Sequence, residues 1–210
     1  MNAAGTASFR NNRILQVYVG WLVVLWAITA INPLYPRDWL LENLLVFISC
    51  TVLIISFNRF QFSNLSYGLF TLFLSLHLVG AHYTYAETPI GFWFQDWFGW
   101  ERNHYDRLVH FAFGLLIAYP IRELLLRCSR TGEAWASASA VSYIVMLSAV
   151  YEIIEAIVAV IVNPELGAAY LGTQGDEWDA QKDTALALIG AIIAIAVPET
   201  ISSCCRKNEG

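Results

Sequence analysis

Asn103-His104-Tyr105-Asp106-Arg107-Leu108-Val109-His110 stands at the entrance to an apolar run that continues to about Leu126. A run of roughly 20 apolar residues is long enough to cross a bilayer as a helix, so this one is read as a membrane span. Two histidines and an aspartate at its mouth then need explaining. Titratable side chains near hydrocarbon are costly, and they mark function when partners for them can be named elsewhere in the chain.

The composition extends the membrane reading to the whole molecule. Of 210 residues, 57% are hydrophobic and 14% are charged, where a soluble domain carries about a quarter charged. Mean hydropathy is +0.51. The expected fold class is all-α: a polytopic membrane helix bundle of about six transmembrane helices, forming a single integral membrane domain over residues 1–210. The predicted spans are 14–31, 40–57, 65–83, 108–126, 135–162 and 183–202. The first is too long for a signal-peptide core and ends in no A-x-A site. The fourth contains Pro120, a kink site, and the fifth is long enough to tilt or to project beyond the bilayer.

Between the third and fourth spans, Gly91 to Trp100 reads Gly-Phe-Trp-Phe-Gln-Asp-Trp-Phe-Gly-Trp. Amphipathic rings at that density suit the headgroup layer, and a short interfacial segment is predicted there. Four cysteines, Cys50, Cys128, Cys204 and Cys205, form neither a disulfide framework nor a CxxC metal spacing. The vicinal tail pair is read as plain thiols rather than as a lipid anchor. The first three spans are nearly free of internal charge and the last three carry most of it, so no internal repeat of the transporter kind is visible.

Lys and Arg in short loops set orientation. With the N-terminus inside, the inner side collects Arg10, Arg13, Arg59, Arg122, Arg127, Arg130, Arg206 and Lys207, while the outer side holds Arg37, Arg102, Arg107 and Lys182. Both termini are therefore expected in the cytoplasm.

That topology brings polar residues of separate segments to one outer height: His77 and His82, Asp106 and His110, Glu152 and Glu155, then Asp176, Asp179 and Asp183. Asp106 and His110 are i,i+4, Glu152 and Glu155 are i,i+3, and the aspartates are spaced by three and four, so each set shares a helix face. The face of Asp183 continues through Ala187, Gly190 and Ala194, small residues that permit close helix approach. Carboxylates gathered in low dielectric need compensation from protons, Arg or a metal. Imidazole with carboxylate suits zinc, iron or manganese, and carboxylates alone suit magnesium or calcium.

Other residues weigh differently. His77, alone in an apolar run, is read as a hydrogen-bonded core residue. Asp176 and Glu177 are read equally well as solvated loop charges. Tyr105 and Tyr151 are placed as interface packing or as proton donors. Glu152-x-x-Glu155 departs from the Glu-x-x-His of di-iron bundles. Serine-hydrolase, phosphate-loop and dinucleotide motifs are absent from the sequence, and no nucleic-acid partner is expected.

Ala81-His-Tyr-Thr-Tyr-Ala-Glu87, Arg102-Asn-His-Tyr-Asp-Arg-Leu-Val-His-Phe111, Tyr151-Glu-Ile-Ile-Glu155 and Leu171-Gly-Thr-Gln-Gly-Asp-Glu-Trp-Asp179, in that order, resemble the YjdF-type bacterial inner-membrane proteins. The resemblance runs from about His77 to Ala194 and implies a multi-pass inner-membrane topology. A more distant similarity is to VanZ-like membrane proteins, whose pattern is Asp-Lys-x-x-His-Phe, a later Glu, and Asp-x-x-x-Asn-x-x-Gly. Asp106-Arg107-x-x-His110-Phe111 fits it, as do Asp183 and Gly190, whereas Ala187 stands where that pattern has asparagine. This similarity implies a shared outward-facing polar site.

The expected protein is a bacterial inner-membrane protein with a periplasm-facing His/carboxylate site. Its leading activity is metal-dependent hydrolysis of a lipid or lipid-linked envelope substrate, with surrounding membrane lipids as partners. Asp106, His110, Glu152 and Glu155 are the candidate catalytic residues. The candidate ligands of a divalent metal ion are these four with His82, His104, Asp176, Asp179 and Asp183. The alternatives are a cation- or proton-coupled transporter or channel, and a non-catalytic assembly or resistance factor. Against conduction, the fourth span offers only Gly114, Tyr119 and Pro120 among apolar residues between the cluster and Arg122-Glu123.

Overall fold

A computed structural model describes residues 9–129, 131–161 and 173–207, with side chains described as far as residue 197. Arg130, Asn163-Pro164, Leu171-Gly172 and the side chains of Cys204, Cys205, Arg206 and Lys207 lie outside the described residues. Every regular element among the described residues is helical, as the apolar runs require where lipid offers the backbone no hydrogen-bond partner. The chain forms two compact units, Met1–Asn103 and His104–Gly210.

The first unit contains α1 (Arg13–Thr29), α2 (Pro36–Ser56), α3 (Asn64–His82) and α4 (Pro89–Phe98). Asn12 caps α1 by accepting the Leu15 N–H at 3.1 Å, and it donates to Asn64 at 2.8 Å, tying the start of α1 to that of α3. Further along the same pair Trp21 donates to Ser75 at 2.9 Å. Ser63 caps α3 through the Ser66 N–H. The helix α2 begins at Pro36 rather than at the predicted residue 40, because proline at the first helical position loses no hydrogen bond and presets φ.

That earlier start brings Asp38 into α2 beside Glu42, which the predicted span already contained; the two are 1% and 2% exposed, so the first unit buries more charge than the expectation of nearly charge-free spans allowed. His77 is a core residue, as read from the sequence. Its Nε2–H donates to the Glu42 carbonyl at 3.0 Å, and since a carbonyl can only accept, Nδ1 is left to accept from the Tyr85 hydroxyl at 2.5 Å. Tyr85→Phe removes that buried donor and is expected to cost about 1–3 kcal/mol, measured by SDS-titrated unfolding in mixed micelles.

The aromatic stretch forms α4, with Pro89 at its start and Gly99 ending it at φ +66°, a left-handed conformation that suits glycine. Asn103 donates to the Thr88 carbonyl at 3.0 Å and packs so closely on Gly91 that a Cβ there would overlap its side chain. Trp93 and Trp97 remain 70% and 78% exposed, the exposure expected of a ring-bearing helix in the headgroup layer.

The second unit contains α5 (Tyr105–Cys128), α6 (Glu133–Ile161) and α7 (Asp179–Lys207). All three start before their predicted spans, and α5 continues through the buried Pro120 without interruption. Helix α7 lies closest to α5: a Cβ on Gly114 would overlap the Ala187 carbonyl, and one on Gly190 would overlap the Phe111 carbonyl. Ala187 and Ala191 are fully buried there. Small residues are what let helix backbones meet in a bilayer. At the other end of α5, Arg122 donates to Ser137 of α6 at 2.9 Å.

Among the described residues, five helices are long and apolar enough to cross a membrane: α2, α3, α5, α6 and Asp179–Val197 of α7. The first predicted span corresponds to α1, a shorter apolar helix of 17 residues, about 26 Å at 1.5 Å per residue.

Candidate functional site

The polar residues at the mouth of α5 meet those of α6 and α7. Asp106 and His110 lie one turn apart on α5, with His110 Nε2 3.6 Å from Asp106 Oδ1 and 3.3 Å from Glu152 Oε1 on α6. Asp183 of α7 completes the group: one ligand atom from each of Asp106, His110 and Asp183 lies within 4.8 Å of the others. His110 is 8% exposed and Asp183 1%, while the Asp106 side chain keeps 16% of its surface exposed. The Gly114 and Gly190 contacts explain how α7 comes near enough for Asp183 to reach α5.

Hydrogen bonding sets the direction in which His110 points. Its Nδ1 faces Ser148 Oγ at 3.4 Å, which leaves Nε2 toward the carboxylates. Metal-binding histidines are commonly oriented in this way through the nitrogen that does not bind. Ser148 precedes Glu152 by four residues on α6 and is 2% exposed. It was not among the residues singled out from the sequence; its i,i+4 relation to Glu152 places it on the same face of α6. The Tyr151 ring meets that of His110 edge-on, with centroids 6.3 Å apart, so it packs as well as borders the site. Glu155 follows one turn after Glu152 and is 9% exposed.

Two basic residues sit at the rim. Arg107 Nη2 donates to Asp176 and, at 3.2 Å, to Asp179 Oδ1; Lys182 Nζ donates to Asp176 at 2.6 Å. The hydrogen bond from Lys182, and after it that from the Trp178 N–H, holds the Asp176 carboxyl well below the usual carboxylate range. The sign is that of a depressed acid: its contribution is complete above an unfolded value of about 3.9 and disappears only as pH falls through the lower folded value. Asp176 thus belongs to a charged clasp with Arg107 and Lys182. His104 Nδ1 accepts from Arg107 at 3.2 Å.

With Arg107 and Lys182 engaged in this way, Asp183 Oδ1 and Glu152 Oε1 are buried without a hydrogen-bond partner. Glu152 Oε1 is near His110 Nε2 but outside hydrogen-bond alignment. Orphaned buried carboxylate oxygens require explanation, and a cation between them is one. Of the other predicted ligands, His82 belongs to the first unit, where its Nδ1–H donates to the Thr29 carbonyl at 2.9 Å.

The DUF2238 family, described as predicted membrane proteins, matches residues 14–202. The inner membrane protein YjdF of Escherichia coli (strain K12) is 36% identical over 184 residues, covering 87% of each chain. No solved structure matches.

Proposed function

This chain belongs to the DUF2238 family of predicted membrane proteins, and we propose that it is a metal-dependent hydrolase of the inner membrane. The reading places the metal between Asp106, His110 and Asp183 and takes a lipid or lipid-linked envelope substrate at the periplasmic face. The observation that carries it is the convergence of three potential ligand atoms within 4.8 Å of one another, beside buried carboxylate oxygens that lack partners. One imidazole with two carboxylates suits zinc or manganese better than an all-oxygen magnesium site.

A bound divalent ion lowers the pKa of a coordinated water and polarises an acyl or phosphoryl oxygen. The chain's own residues have separable parts. His110, directed by Ser148, and Asp106 and Asp183 hold the ion. Glu152 Oε1, 3.3 Å from the ligating nitrogen, receives the proton that an attacking water gives up. The periplasmic orientation follows from the Lys and Arg distribution, with both termini cytoplasmic, and the inner-membrane location agrees with the YjdF relative's name.

Protein purified without chelator is expected to carry about one divalent ion per chain, the stoichiometry of a single three-ligand catalytic site, by mass-spectrometric metal analysis. Reconstituted in nanodiscs, it is expected to release head group from phospholipids or lipid-linked envelope precursors. Metal-free protein that works in full after Asp106→Ala and Glu152→Ala replacement overturns the proposal.

A further inference from the structure

We propose that Arg107 and Lys182 form an anion subsite for a phosphate-bearing head group, and that Asp176 occupies it as a tethered substitute which the substrate displaces. This rests on the hydrolytic reading above and supplies its substrate class.

Both basic side chains converge on one oxygen, Asp176 Oδ2, while Asp176 Oδ1 accepts the Trp178 N–H at 3.0 Å. Arg107 Nη1 lies on His104 Nδ1, Nη2 also reaches Asp179, and Nε is buried without a hydrogen-bond partner. A carboxylate therefore leaves an Arg107 donor unfilled, and phosphate, with more acceptor oxygens, can engage the guanidinium edge in bidentate fashion.

The position fits. Arg107 adjoins Asp106 on α5, and Asp179, which it touches, precedes Asp183 by one turn of α7. The subsite thus lies about 5.4 Å along the helix from the proposed metal centre, the scale of a phosphate next to the bond being cleaved. Asp176 is also suited to leave, because it lies in the turn before α7 rather than on a helix, and its partner Lys182 is 49% exposed.

The test is binding of inorganic phosphate to the full chain in nanodiscs of a phosphate-free galactolipid, followed by ³¹P NMR or calorimetry in EDTA, so that failure of the metal reading leaves the measurement intact. D176N, which keeps the shape and removes the competing charge, is expected to bind about tenfold more tightly, and K182M about tenfold more weakly, the scale of one charge-assisted hydrogen bond. A second arm replaces phosphate with phosphatidic acid in the disc. The same order of variants there assigns the subsite to a lipid head group, whereas that order with inorganic phosphate alone assigns it to a soluble phosphate. D176N binding no better than the parent, K182M binding equally well, or silence in both arms overturns the proposal. Since Lys182 is half exposed, K182M retains the fold and decides alone if D176N does not fold.

Discussion

Asp183→Asn is expected to weaken divalent-metal binding by more than about 100-fold. Changes to groups that only orient a ligand cost about 10–100-fold, and the loss of a ligating charge exceeds that. Asp183 is the sharpest member to test because it is 1% exposed and its Oδ1 has no hydrogen-bond partner. Asparagine keeps its size while removing the charge. Ser148→Ala, which releases only the Nδ1 side of His110, belongs in the 10–100-fold class. Glu152→Gln separates binding from chemistry, since metal affinity should stay near the parent value while hydrolysis falls by about 10²–10⁴-fold, the usual contribution of a general base. Competition with a chelating dye reads the affinities and head-group release reads the rate. An unchanged affinity in a folded Asp183→Asn protein removes the centre altogether.

The residues that meet in this cluster were legible because expense and spacing coincided. Asp106 with His110 and Asp179 with Asp183 are i,i+4 pairs at helix mouths in a chain poor in charge, and the Ala187 and Gly190 face foretold the close approach of α7 to α5. Ser148 was not legible by the same rule. A serine in an apolar helix can satisfy its own hydroxyl against the preceding turn, as Ser142 does on the Ala138 carbonyl at 2.9 Å, so its presence signals little until a partner is seen across the helix interface.

The burial of Asp38 was missed for a different reason. With the span read as starting at Leu40, Asp38 stayed in the loop, whereas Pro36 starts the helix about one turn earlier and carries Asp38 inward. His77 then proves to be held by the Glu42 backbone, a contact that residue type alone does not reveal. In both units polarity was visible in the sequence, and its partners were fixed by the packing of neighbouring helices.

Gly190→Val is expected to destabilise the second unit by about 4 kcal/mol or more, the range reserved for backbone-level clashes. A Cβ at this position meets the Phe111 carbonyl and, at 2.7 Å, the Leu115 nitrogen. These are α5 backbone atoms with no rotamer through which to yield. Separating the helices is costly because association in lipid rests on close packing rather than on a hydrophobic driving force. The same contact controls the site: Asp183 lies about two turns before Gly190 on α7, and Asp106 and His110 lie just before Phe111 on α5. Any population of Gly190→Val that remains folded should therefore bind metal poorly with every ligand intact. Gly20 of α1, where a Cβ meets nothing within 4 Å, provides the contrast, and Gly20→Ala should stay within about 1 kcal/mol of the parent. SDS-titrated unfolding of the two variants, with metal titration of the folded fraction, checks both effects. Equal stability of Gly190→Val and Gly20→Ala would mean that α7 does not reach Asp106 and His110 by way of this glycine contact.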